Sequence, residues 1–498
     1  MQHKTGTSRN QIQFISLENW ITADNPVRVI DAFVDSLALR EMGFKHTVIK
    51  SEGRPPYHPS VMLKLYLYGY NGGVRMRSSR RLEAECRRNV ELMWLIEEMA
   101  PSHTTIAAFR SEHSKELKEI FKRFGMFLKD VNLIGAEVVA VDGTKIRGVN
   151  SKGNNYTEKD VEGYLAYLEK KSEEYIKELD NIDKEEEEGG DNALSVKHEE
   201  VKVLLEKLKE KKEKYSGLQS QMQQQQSPQI STTDADTRLM QAADGGNIVG
   251  FNIQSATDAK HCMIADFLVT NEGDRHALHI TATSAKQTLG VERLTAMADK
   301  GFHSGTELAA CEQDDIITLV APQQYITPKA VPDVRYNIEH FVYDKEQDCY
   351  ICPQGNRLVS NGTMLKRMKK RGKEEIEVLY KDYKTTGCAT CPVRHLCTNA
   401  LKGRVISRFE YQDVIDANNK RVKENKEEYA KRKCIVEHPF GTVKRAWGYT
   451  YALLKGIQKI TAEIALMFTC YNMRRAISIM GVVGLIKALN EWKTIKMA

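Results

Sequence analysis

Apolar residues recur at helical spacing in Val27, Ile30, Phe33, Val34 and Leu37, and again in Ile106, Phe109, Leu117, Ile120, Phe121 and Phe124. That period predicts a helical domain over the first 133 residues. Pro55-Pro56 and Pro59 precede an apolar helix from Val61 to Tyr70, Gly72-Gly73 stops it, and Ser78-Ser79 can cap the next. The texture changes at Glu137-Val-Val-Ala-Val-Asp142, an apolar β-rich run that predicts a buried strand delivering Asp142 to a turn at Gly143-Thr144. From Thr157 to about Met222 the chain is Lys/Glu-rich. Tyr164, Leu165, Leu168, Tyr175, Leu179 and Ile182 line one arm, and Val201, Leu204, Leu205, Leu208, Tyr215 and Leu218 the other. The Glu/Gly break between Glu185 and Asp191 makes this an antiparallel helical hairpin, inserted into the surrounding fold. Strands resume at Ile248 to Ala256 and Met263 to Thr270, around a hairpin turn at Thr257 to Lys260. A helix from about His276 to Leu289, an apolar strand from Val291 ending at Asp299, a helix near Thr306 to Gln313 and a strand from Ile316 to Val320 come next. This order predicts a mixed α/β sheet.

The length of 498 residues suggests about three domains, or one large domain with insertions. Hydrophobic residues at 41% and charged residues at 28% exclude a wholly disordered or collagen-like chain. No apolar run approaches the roughly 18 residues of a membrane span, and Met1 to Leu17 lacks a secretory apolar core, so a cytoplasmic protein is expected. The net charge of +6 hides an uneven distribution. Residues 231–351 carry 9 positive and 18 negative side chains, whereas residues 401–498 carry 19 and 9, so a polyanion would bind the C-terminal part first. A further basic cluster, Arg75, Arg77, Arg80, Arg81, Arg87 and Arg88, precedes a helix bearing Arg110. Short helices with such a face suit helix-turn-helix DNA binding, with Arg80, Arg81 and Arg110 as contacts; the plainer reading is a bundle with a charged surface.

Asp142 and Asp299 both follow hydrophobic strands and precede Gly-containing turns. Facing carboxylates repel unless divalent cations lie between them, and oxygen-only ligation favours Mg²⁺ or Mn²⁺. Either Asp alone would equally serve an Asx-turn. A third carboxylate, Glu437, lies between basic clusters in the helical tract that starts at Tyr411. Pro439 cannot donate a backbone hydrogen bond, so that helix is expected to end or kink near Glu437. Five of the ten cysteines, Cys349, Cys352, Cys388, Cys391 and Cys397, fall within 49 residues and predict a tetrahedral zinc site, for which His395 is a further donor. The basic stretch Leu365 to Lys373 inside this module is a candidate DNA contact.

Three motifs in order, Val-Asp-Gly-Thr-Lys at 141–145, Ala-Asp-Lys-Gly-Phe-His-Ser at 298–304 and Val-Glu-His-Pro-Phe-Gly-Thr-Val-Lys at 436–444, make the chain resemble the DDE transposases of bacterial insertion sequences. The stretches at Gly53 to Tyr57, Tyr68 to Tyr70, Ser78 to Arg80 and Thr105 to Arg110 are similar to the helical domain preceding such cores. The resemblance implies an RNase H-like catalytic fold with Asp142, Asp299 and Glu437 as the triad holding two Mg²⁺ (or Mn²⁺) ions. It implies a Tyr-Arg-Glu-Lys signature in Tyr429, Glu437, Lys444 and either Arg432 or Lys433, these cations contacting DNA. It favours Cys352, Cys388, Cys391 and Cys397 as the zinc ligands, leaving Cys349 spare, although Cys349 and Cys352 with Cys388 and Cys391 is a second possible set. The expected organisation is a helical DNA-binding domain (1–133), a catalytic core in two parts (134–150 and 231–334), a charged hairpin insertion (151–230), a Cys-rich insertion (335–405) and C-terminal helices completing the core (406–498). The implied activity is DNA cleavage and strand transfer. The implied partners are double-stranded DNA, the terminal inverted repeats and target DNA, bound by a nucleoid-associated homodimer. The rivals are a metal-dependent nuclease on the same fold and a zinc-containing DNA-binding regulator without catalysis.

Overall fold

Seven helices precede the first strand in the computed structural model, which describes residues 10–12, 14–49, 51–52, 55–73, 76–187, 192–242, 245–323, 331–371 and 374–497. They are α1 (Leu17–Trp20), α2 (Val27–Asp35), α3 (Pro59–Asn71), α4 (Ser79–Glu85), α5 (Val90–Leu95), α6 (His103–Glu112) and α7 (Ser114–Asp130). Local chemistry sets their ends. Pro59 at the first position of α3 gives up an N–H that a helix start cannot use, and Ser102 Oγ accepts from Thr105 N at the start of α6. The chain divides into two compact units, one of residues 1–136, 142–274 and 435–498, the other of residues 137–141 and 275–434. Strand β1 (Val138–Arg147) contributes residues to both.

In the first unit, β2 (Asn155–Thr157) and β3 (Gln229–Ser231) pair at the base of an antiparallel hairpin formed by α8 (Glu158–Glu187) and α9 (Asn192–Gln224). Val161, Leu218, Met222 and Ile230 form the core of that base. The expected hairpin is therefore present, and the part of its break at 188–191 lies outside the described residues. Strands β4 (Arg238–Gln241), β5 (Asn247–Asp258) and β6 (Ile264–Thr270) pair antiparallel, with Asn252 opposite Thr270. The later residues of β1 run beside β5 so closely that a Cβ on Gly250 would lie 2.9 Å from Gly148 N. The C-terminal helical segment α15 (Ile457–Met497), broken at Gly481 where φ is 72°, packs on β6 and α7. Asn472 bonds both the N–H and the carbonyl of Ile264 at 2.8 Å, and Phe267 meets Phe121 and Phe468 edge-on at 5.0 and 5.2 Å. A buried ion pair, Arg77 Nη1 to Glu463 Oε1 at 2.6 Å, joins the segment before α4 to α15.

In the second unit, the first residues of β1 pair in parallel with β7 (Leu294–Ala298), and β7 pairs in parallel with β8 (Ile316–Val320). The connections are α10 (Leu278–Leu289) and α11 (Gly305–Gln313), as parallel neighbours require. The strand expected from Val291 starts instead at Leu294, because Gly290 takes a left-handed cap with φ of 59° and the chain needs Val291 to Arg293 to return from the helix. A second, antiparallel sheet comprises β9 (Val342–Asp344), β10 (Cys349–Ile351), β11 (Arg357–Val359), β12 (Leu365–Arg371), β13 (Glu374–Lys384) and β14 (Val405–Phe409), in the order β12-β13-β11-β10-β9 with β14 on β13. Phe341, Tyr350, Leu358, Tyr383 and Ile406 fill its core. The short α12 (Arg394–Cys397) lies within it, and α13 (Gln412–Glu424) follows. Buried Asn418 on α13 bonds Val320 N and O at 3.0 and 2.8 Å, clamping the helix to the end of β8. Helix α14 (Lys426–Phe440) then leads out of this unit at Cys434. The molecule is a mixed α/β protein, as the pattern predicted, and no described helix is long and apolar enough to cross a membrane.

Candidate active site and nucleic-acid surface

Asp142 does not end its strand. β1 continues through Gly143 and Thr144 to Arg147, so the turn expected from the Asp-Gly pair is absent. Gly143 is required for another reason: a Cβ there would collide with Asp274 Oδ1 and stand 2.7 Å from Gln254 Nε2 and 3.1 Å from Asn252 Oδ1. Those three side chains form a network over the strand. Asn252 Nδ2 and Gln254 Nε2 donate to Asp274 Oδ1 at 2.8 and 2.7 Å, and Lys145 Nζ donates to Asp274 Oδ2 at 2.9 Å. Burial works to raise the Asp274 pKa, but the donors Asn252, Lys145 and Gln254 outweigh it and hold the carboxyl below its ordinary range. Asn252 and Gln254 are fully buried, and Asn252 Oδ1 and Gln254 Oε1 have no partner among the described residues. None of these residues emerged from the motifs. Their signal was two amide side chains at i and i+2 in a strand buried along most of its length, opposite to what a buried strand prefers.

Glu437 is exposed on α14 between buried Val436 and Pro439. The α-helix ends close to Glu437, where Pro439 was expected to end or kink it. It runs to Phe440 and widens into a π-helical turn over Gly441–Ala446, with Trp447 N bonding Thr442 O five residues back. The wider turn absorbs the missing proline donor and redirects the chain beyond it. Lys444 on that turn bonds Thr144 Oγ1 and Lys145 O, both at 3.0 Å, within the first unit. It therefore holds the backbone just past Asp142.

Within the second unit, Asp299 follows β7 directly and caps a short 3₁₀ turn, its Oδ1 accepting from Gly301 N at 2.7 Å. Tyr429 on α14 donates its hydroxyl to Ala298 O at 3.0 Å, one residue before Asp299. Burial raises the Tyr429 pKa, Arg432 opposes that by charge and hydrogen bond, and the Asp299 charge adds to the rise. Of the two basic candidates beside Glu437, Arg432 is thus the one that bonds Tyr429; Lys433 is exposed.

The basic cluster of the helical domain separates into two kinds of residue. Arg80, Arg81, Arg87 and Arg88 are exposed on and after α4, with Arg81 Nε 2.8 Å from Glu85. Arg110, expected at DNA, is instead 4% exposed; it donates to Tyr70 Oη at 2.9 Å and lies over the Tyr66 ring. Helical periodicity placed it on the inward face of α6, beside Phe109, where it satisfies buried tyrosines instead of meeting phosphates. Arg77 is likewise buried, while Arg75, Gly53 and Arg54 lie outside the described residues.

Cys352, Cys388, Cys391 and Cys397 line one cavity with Tyr336, Phe341 and Leu358. Burial raises the Cys397 thiol, Arg404 lowers it, and the other three sulfurs raise it further, so the four lie within electrostatic reach of one another. Cys349 is buried in β10, and His395 is exposed on α12. Among the described residues, no group of three or more His, Cys, Asp or Glu side chains is arranged to hold a metal ion. The donor chemistry of the thiols suits a soft cation and that of the carboxylates a hard one, but neither set is closed as it stands.

Residues 15–112 match a family described as a transposase domain (DUF772), and residues 351–477 match one described as a transposase DDE domain. The first covers α1 to α6, and the second runs from the four-cysteine cavity through Glu437 and Lys444 into α15. No curated protein matches the chain, and no solved structure does. The paired matches support a transposase, and transposase domains imply DNA as a partner. More narrowly, they support an insertion-sequence DDE transposase, a class of DNA-cleaving and DNA-transferring enzymes that normally uses a divalent metal.

Proposed function

We propose that this chain binds the ends of its own insertion sequence, cleaves the DNA there and joins the freed ends to target DNA. The observation that carries the proposal is the pair of transposase matches, over residues 15–112 and 351–477, the second of which includes Tyr429, Glu437 and Lys444. Each unit also fixes the backbone beside its own aspartate, Tyr429 at Ala298 in the second and Lys444 at Thr144 and Lys145 in the first, and phosphoryl transfer depends on such positioning. The parallel trio of β1, β7 and β8 and the antiparallel trio of β4, β5 and β6 are consistent with an RNase H-like core. Asp142, Asp299 and Glu437 are the proposed ligands of Mg²⁺ or Mn²⁺, which when bound would activate a water or 3′-hydroxyl and stabilise the leaving oxygen. Arg432 and Lys433 would meet DNA phosphates, and Arg80 and Arg81 on α4 would bind the element's ends from the domain of residues 1–133. The Cys352, Cys388, Cys391 and Cys397 set is the proposed holder of a structural zinc, within the insertion of residues 335–405. A homodimer on nucleoid DNA is the proposed working form.

The test is to incubate the full chain with its flanking DNA and Mg²⁺ and to map the products. Joined strands are expected; cleavage without joining would favour a nuclease, and intact DNA a binding regulator. Asp142→Asn, Asp299→Asn and Glu437→Gln are each expected to abolish cleavage while leaving DNA affinity within about twofold, since metal-centred catalysis acts as a unit and affinity comes from basic surface. Substantial residual cleavage in any of the three would remove that residue from the site.

A further inference from the structure

The second, antiparallel sheet module contains an open cleft of about 990 Å³, with Leu365 of the basic stretch and Cys388 on its edge. Its walls come from β11, the end of β13, the turn at Cys388 and the loop from Leu401 to Gly403. Four cations line it, Arg357, Lys384, Arg394 and Lys402, against one carboxylate, Asp382, which already accepts from Ser407 Oγ at 2.7 Å. Arg357, Lys384 and Lys402 are exposed. Arg394 has a different task. Its Nη2 donates to the carbonyls of Ala400 and Leu401 at 3.3 and 2.7 Å, which fixes the loop that carries Leu401 and Lys402. Gly403 pins the other end of that loop: its φ is +85°, and a Cβ there would stand 2.7 Å from Cys388 Cβ. The loop is therefore held rigidly at both sides, yet it presents Leu401 at 95% exposure. A fixed loop that displays a bare leucine between cations, inside a cationic cleft, is not explained by folding, which would bury that side chain.

We propose that this cleft is a duplex-DNA site in which Arg357, Lys384 and Lys402 hold backbone phosphates and Leu401 enters the minor groove as an apolar wedge. The lining has three positive charges in excess, four cations against Asp382, which matches a polyanion. An apolar tip flanked by phosphate-binding cations is the arrangement with which proteins unstack a base step and bend DNA. The cleft offers no buried polar array with which to read base edges, so the contact is sequence-tolerant and depends on deformability. The proposal rests on the reading of the chain as a DNA enzyme, but it concerns residues distant in sequence from Asp142, Asp299 and Glu437.

The experiment uses the full chain without divalent metal, so that cleavage plays no part. Binding to a random-sequence duplex is measured across salt concentrations, together with DNA bending by end-to-end fluorescence transfer. Lys384→Gln with Lys402→Gln is expected to flatten the log-log salt slope by about 1.8, at about 0.9 per phosphate lost. Leu401→Ala is expected to keep the salt slope, to weaken binding about tenfold and to reduce bending. An unchanged slope in the lysine variant, or unchanged bending in Leu401→Ala, overturns the proposal. Lysine acetylation of the unaltered chain gives an answer independent of variant folding: DNA should shield Lys384 and Lys402, and full reactivity of both in the complex refutes the site. Set beside the separate Mg²⁺ assay proposed above, normal cleavage there with an unaltered slope here would defeat the cleft alone, whereas cleft binding here with no cleavage there would defeat the transposase reading alone.

Discussion

Gly143→Ala tests the network beside Asp142 with the smallest possible change. One methyl group would be added, and it would fall on Asp274 Oδ1 and within 2.7 Å of Gln254 Nε2. β1 is held on its other side by Lys444, so the side chains must yield rather than the strand. Moving Asp274 breaks its bonds from Asn252 and Gln254, and a hydrogen bond to a charged group contributes about 1.5–3 kcal/mol net. The Asp274 side chain is 31% exposed, so water recovers part of the loss on its side, whereas buried Asn252 and Gln254 recover none. The expected cost is about 2–4 kcal/mol, local to β1 and β5. A chain of two units does not unfold in one step, so the readout is amide hydrogen exchange at residues 252–254, expected to quicken by about 30- to 1,000-fold. Cleavage should fall too, because Asp142 immediately precedes the substituted residue. In the double variant Gly143→Ala with Asp274→Ala the colliding oxygen is gone, so its cost should be well below the sum of the single costs. Unchanged exchange in Gly143→Ala, or strictly additive costs in the cycle, would refute the steric argument.

Arg77→Met should destabilise the first unit by about 3–5 kcal/mol, because it strands Glu463 with only the Leu453 and Leu454 N–H groups; a melting temperature within 1–2 degrees of the parent would show the pair is dispensable. Asp274 has a folded pKa below its unfolded value near 3.8, so its contribution is complete above that value and is lost as pH falls through the folded one. Asp274→Asn should therefore lower stability at neutral pH and flatten the acid limb of the stability curve, and an acid limb parallel to the parent's would contradict this. Purified protein should hold one zinc per chain, lost in Cys388→Ser and Cys391→Ser and retained in Cys349→Ser, since Cys349 is buried in β10 away from the four-thiol cavity; metal analysis showing no zinc under reducing conditions would dismiss the site.

Periodicity determined a helical start, the hairpin of α8 and α9, and the strand Ile316–Val320, because each pattern matches a regular repeat and its ends carry their own caps or breakers, whereas the short α1 and α5 left no such signal. The same reasoning misjudged residues whose role depends on a neighbour distant in sequence. Asp-Gly at 142–143 has turn chemistry in isolation, yet Gly143 serves close packing against Asp274, more than a hundred residues on. Arg110 has the composition of a DNA contact, but the inward face of α6 directs it to Tyr70 and Tyr66. Pro439 does end the α-helix, at Phe440, as its chemistry predicts, but only the fold shows the π-helical turn that follows and takes Lys444 to β1. Residue type and spacing named the aspartates, the glutamate and the thiols. Only tertiary packing decided which polar groups surround them, because partners such as Asn252, Gln254 and Asp274 are recruited by strand register, a property of the folded sheet rather than of any short segment.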